Sequence, residues 1–156
     1  MTASSPVGAK ALIRNPALEP LEFLIGEWRT RGTHPMTPGV TLTGRTVFEW
    51  GEGGAFLVMR SEVTRPEFPD GVAIIGSDGA SGRFAMTYFD ERGVSRLLDV
   101  TVGDRTVTWR HDDPKFTQTL TITADRGGDR LVSRGRMSKD GGPWTDDLSQ
   151  VFTRAT

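Results

Sequence analysis

An all-β fold, an antiparallel up-and-down sheet closed into a barrel of about ten strands, is what this sequence predicts. Three observations predict it. Ten short apolar runs, each ended by a turn signal, fill residues 27–154. The best of them alternate strictly: Val40, Leu42, Thr46, Phe48 and Trp50 share one face, while Thr41, Thr43, Arg45 and Glu49 share the other, which is the period of a strand with one side buried. No helix of crossover length separates any two runs, so the pairing is antiparallel. An open meander of this length would expose two long edges, and closure removes both. Two stacked sheets are the alternative that alternation does not distinguish.

Taken in order, Asn15-Pro16 marks a boundary between a flexible start (1–16) and one barrel domain (17–156). Pro20 stands at a first helical position, Leu21, Leu24 and Ile25 follow at spacings of three and four, and Gly26 occupies a left-handed terminating position; residues 20–25 are read as a short helix capping one end of the barrel. Strands are predicted at 27–33, 40–50, 55–64, 72–76, 83–89, 94–102, 105–111, 116–123, 130–138 and 144–154. Gly51-Glu52-Gly53-Gly54, Asp78-Gly79-Ala80-Ser81-Gly82, Gly103-Asp104 and Asp140-Gly141-Gly142-Pro143 supply turns, and Pro66 and Pro69, which donate no ladder hydrogen bond, mark a loop.

Composition narrows the function. The chain of 156 residues fits one domain, and 36% hydrophobic with 25% charged residues supports a packed core. With 19 basic and 20 acidic residues the net charge is −1, so there is no basic excess for nucleic acid. No cysteine is present, which excludes disulfides and thiolate chemistry. The start of the chain lacks the apolar core of a signal peptide, and no run approaches the ~20 apolar residues of a bilayer span; a cytoplasmic protein with no membrane partner is expected. Gly51-Glu52-Gly53-Gly54 is not a phosphate loop, since no Lys-Ser/Thr and no helix follows. His111-Asp112-Asp113 is not a metal site, because consecutive strand residues face opposite sides. No metal and no cofactor are predicted.

Several motifs are similar to those of a known superfamily. Gly26-Glu27-Trp28 on the first strand and Arg154 on the last resemble the signature of the calycins, the lipocalins and fatty-acid-binding proteins. Leu24-Ile25-Gly26-Glu27-Trp28, Glu49-Trp50-Gly51-Glu52-Gly53-Gly54-Ala55-Phe56-Leu57 and Ser138-Lys139-Asp140-Gly141-Gly142-Pro143-Trp144 resemble a large group of bacterial lipocalin-like proteins without an agreed activity. The resemblance implies a barrel in which Arg154 stacks on Trp28, and its ten strands point to the fatty-acid-binding-protein branch; it implies no reaction. Nitrobindin, a ten-stranded haem barrel, is a more distant likeness. It holds iron through a histidine near the C-terminal end of the sheet, and here no histidine follows His111; haem binding is disfavoured.

Alternation also places polar residues on inward faces. Tyr88 goes with Phe84 and Met86, Arg96 with Leu98 and Val100, His111 with Val107 and Trp109, Gln118 with Leu120 and Ile122, and Gln150 with Leu148 and Phe152. Convergence of Arg96, Tyr88, Gln118 and Gln150 would make a fork of donors for a carboxylate or another electron-rich oxygen. Met59 and Met86 fit an adaptable apolar wall, and Trp50 and Trp109 serve either as core or as a ligand platform. The expected function is binding of a small, largely apolar or amphipathic molecule, with an anionic group accommodated. An isomerase or cyclase using Tyr88, His111 and Arg96 is the rival reading, with no assigned catalytic residue and the balance against an enzyme. A homodimer through an exposed edge or apolar rim is a further option. His34, in Thr33-His34-Pro35 beyond the first strand, is placed at the barrel mouth or in a loop and read as a solvated histidine.

Overall fold

The computed structural model describes residues 15–79 and 81–155. The predicted flexible start, up to Arg14, lies outside them. Ten strands form one closed antiparallel barrel: β1 (Gly26–Thr33), β2 (Leu42–Gly51), β3 (Phe56–Val63), β4 (Gly71–Ser77), β5 (Phe84–Asp90), β6 (Ser95–Gly103), β7 (Thr106–His111), β8 (Phe116–Ala124), β9 (Arg130–Lys139) and β10 (Thr145–Arg154). Each strand pairs with its sequence neighbours, and β1 pairs with β10 to close the ring. Every predicted strand is present, with ends within a few residues of those read from the turn signals.

A 3-10 helix (Pro16–Leu24) precedes β1. It starts earlier than predicted and is wound more tightly, for identifiable reasons. Pro16 opens it and Pro20 lies inside it, so one backbone donor is missing midway. Leu18, Leu21 and Leu24 recur every three residues, the period at which 3-10 side chains align, and all three are fully buried. Each such burial stabilises by about 1.5–3 kcal/mol. Asn15 caps the helix, its side chain accepting from the Ala17 N–H at 3.0 Å and donating to Ser77 Oγ at 2.8 Å. Ile25, in extended conformation, ends it. Gly26 is therefore the first residue of β1 and not a left-handed helix cap.

The leucine face packs onto one end of the barrel, where Trp28, Phe48, Leu57, Ile75, Val107, Ile122 and Leu131 form the core. The helix thus plugs the end at which β1 begins. At the opposite end, where β5, β7 and β9 finish, no helix covers the barrel among the described residues, and there the interior widens into a cavity.

β10 departs from plain alternation. Asp146 pairs with Arg136 and Ser149 with Arg134, so Asp147 and Leu148 together stand opposite Gly135. This bulge reverses the inward and outward order. Asp146 projects outward, and Asp147 turns inward and is 7% exposed. Gly135 permits it, since a Cβ there would run into the Leu148 carbonyl oxygen.

Candidate functional site

The cavity has a volume of about 470 Å³. Its deep wall is apolar: Met59, Met86, Leu98, Trp109, Ile122 and Phe152 face one another from six strands. Its rim is polar, with Arg96, Gln118, Tyr88, Gln150, Asp147 and His34. Of the residues singled out in the sequence, Met59, Met86, Tyr88, Arg96, Trp109, Gln118 and Gln150 line this space.

Trp50 and His111 do not line it. Trp50 lies on the inward face of β2 as expected, but opposite Leu57 at the plugged end, where it packs against the core. His111 is the last residue of β7, and its Nδ1 sits 3.4 Å from the Leu97 carbonyl oxygen at the edge of the barrel. Alternation fixes the side of the sheet a residue faces, not its depth along the barrel, and both misplacements are of depth.

Two rim residues were not among the pocket candidates. His34 is no solvated loop residue. The chain after β1 folds back over the barrel mouth so that His34 Nε2 meets Asp147 Oδ1 at 2.8 Å, with the ring edge-on to Phe68, centroids 5.2 Å apart. Its Nδ1 accepts the Met36 backbone N–H at 2.9 Å, which requires a lone pair on that nitrogen. The ring is therefore the neutral tautomer, and Nε2–H donates to the carboxylate. Asp147 faces inward only because of the β10 bulge, and Gln118 Nε2 donates to its other oxygen.

The expected fork of four donors is smaller than the sequence suggested. Tyr88 and Arg96 are directly opposite across β5 and β6, but the Tyr88 hydroxyl donates to Asp90 Oδ2 at 3.0 Å. Burial, reinforced by that hydrogen bond, pushes the phenol up to about 12. Asp90 is in turn gripped by Arg92, Nη2 to Oδ2 at 2.7 Å, and its carboxyl is held down to about 2 chiefly by that bond. Gln118 spends its amide N–H on Asp147. Three cations border the cavity: Arg92 is paired with Asp90, Lys139 is exposed, and Arg96 is half-buried, its Nη1 donating to Gln118 Oε1 at 3.4 Å and its guanidinium carbon 5.4 Å from the centre of the Phe116 ring. Gly71 makes room for Tyr88, because a Cβ there would meet its ring at 2.7 Å.

The donors do not fit a histidine-ligated haem. Both ring nitrogens of His34 are engaged, and His111 stands outside the cavity. Among the described residues no cluster of three His, Cys, Asp or Glu side chains has the geometry of a metal site, and no helix is long and apolar enough to cross a membrane.

No protein-family model matches the chain, and no curated protein matches it. In structure the chain is similar to Rv2717c from M. tuberculosis, with a TM-score of 0.62 and 16% sequence identity over 92% of this chain and 100% of that one. At that identity the likeness shows a shared barrel fold.

Proposed function

We propose that this lipocalin-like barrel binds a small, largely apolar molecule, taken in through the end opposite the helix, with its polar end at Arg96. One observation carries the reading: a cavity of about 470 Å³, apolar in its depth and polar at its rim, inside a closed sheet. That volume lies in the range of small-molecule sites, roughly 300–1,000 Å³, which are mostly apolar with a few oriented polar groups. An acid–base enzyme has less support, since the Tyr88 proton is committed to Asp90, the free lone pair of His34 to Met36, and His111 lies outside. Displacement of a fluorescent fatty-acid probe from the purified protein, with native mass spectrometry to count bound molecules, tests the proposal. One displaceable molecule per chain supports it; a protein that takes up no apolar probe overturns it.

A further inference from the structure

Arg96 and Asp147 stand at the two ends of one side chain. Gln118 Oε1 accepts from Arg96, and Gln118 Nε2 donates to Asp147, which fixes the orientation of the amide. The two charges do not themselves meet. Among the described residues no carboxylate pairs with Arg96, and neither lysine nor arginine pairs with Asp147. The other partner of Asp147, His34, is the neutral tautomer and supplies a hydrogen bond without a counter-charge. The rim therefore presents a carboxylate that is 7% exposed and a half-buried guanidinium, held apart by an amide and both bordering the cavity. A buried charge satisfied only by neutral donors is costly until an opposite charge arrives.

We propose that the polar end of the ligand is a zwitterion, its ammonium group against Asp147 and its carboxylate against Arg96, as in an α-amino acid with an apolar side chain. The inference rests on the reading that the cavity takes an apolar molecule. The spacing suits it. The amide oxygen and nitrogen of Gln118 are two covalent bonds apart; the ammonium nitrogen and a carboxylate oxygen of an α-amino acid are three apart. Such a head group spans the same gap alongside Gln118, with the side chain running down toward Met86 and Trp109. A simple fatty acid neutralises Arg96 but brings a second negative charge toward Asp147. A simple amine does the reverse. Only the dipolar head group satisfies both, so the pair discriminates by repulsion as well as attraction.

Calorimetric titration of the whole protein near neutral pH with decanoic acid, decylamine and 2-aminodecanoic acid tests this. The amino acid should bind tighter than either single-charge probe by about tenfold or more. Asp147→Asn should reduce it to the affinity of decanoic acid, and Arg96→Gln to that of decylamine. The wild-type comparison decides without relying on either variant to fold. Decanoic acid or decylamine binding as tightly as the amino acid overturns the zwitterion while leaving the apolar cavity reading intact. If none of the three binds, the cavity reading falls as well.

Discussion

The guanidinium carbon of Arg154 lies 4.2 Å from the centre of the Trp28 ring. The two residues are paired across the seam where β10 closes onto β1. Trp28 is fully buried and donates its indole N–H to the Leu24 carbonyl at 2.8 Å. Arg154 donates to the carbonyls of Ile25 at 3.0 Å and Gly128 at 3.1 Å. One side chain thus ties together the last strand, the exit of the helix and the β8–β9 turn.

Replacing that arginine should loosen the seam. The stacking contributes about 1 kcal/mol and each of the two hydrogen bonds about 1 kcal/mol, so Arg154→Met should cost about 2–3 kcal/mol in urea unfolding. Gly26→Ala should also destabilise, because Gly26 holds φ +142° and a Cβ there would overlap Arg154 Nη1. Losses under about 0.5 kcal/mol for both, the range of ordinary surface changes, would show that the seam does not depend on this contact.

Tyr88 is the only tyrosine, so its ionisation is directly visible by ultraviolet absorbance. The titration midpoint should lie near 12 instead of the ordinary 10.0. A raised phenol favours folding with the neutral form: the contribution is complete below pH 10.0 and is lost as pH climbs toward about 12. Asp90→Asn should lower the midpoint without returning it fully, since burial is the larger cause. A wild-type midpoint at the ordinary value would contradict the described hydrogen bond and burial.

Asp90 predicts the opposite pH dependence at the acid end. Its carboxyl is depressed from 3.8 to about 2, so its contribution to stability is complete above pH 3.8 and declines as pH falls toward about 2. The stability difference between wild type and Asp90→Asn should shrink over that interval. A difference that stays constant from pH 5 to pH 2, a span bracketing both values, would mean the Arg92 pairing is too solvated to matter.

Much of the fold was legible because barrel strands obey a period of two, and the turns are written in Gly, Asp and Pro. Met59, Met86, Leu98 and Trp109 follow from that period alone. Asp147 was not legible. Counting back from Phe152 and Gln150 puts Asp146 inside and Asp147 outside, and only the bulge opposite Gly135 reverses them. A glycine in the middle of an otherwise bulky strand was the available signal. A mouth or loop position for His34 was legible, but its contact with Asp147 was not, because a loop's return path over the barrel mouth has no period. The short capping helix was legible but its type was not: the spacing of Leu21, Leu24 and Ile25 leaves the winding open, and the spacing that governs it is Leu18, Leu21, Leu24.

The bulge itself can be tested. Gly135→Ala would force the Leu148 carbonyl aside. It should destabilise by about 1–3 kcal/mol and weaken selection between charged head groups, because Asp147 would lose its place beside Gln118. A variant with unchanged stability and unchanged probe preference would show that the bulge does not position the carboxylate.

Leu120 borders the cavity and is only half-buried, so a larger side chain there has space to fill. The decisive measurement is the affinity of one fluorescent apolar probe for wild type and for Leu120→Trp, with unfolding curves recorded on both. A hollow barrel predicts one probe per wild-type chain and a loss of about tenfold or more in the filled variant at similar stability. Equal affinity in both proteins, or no uptake by either, would contradict binding inside the sheet.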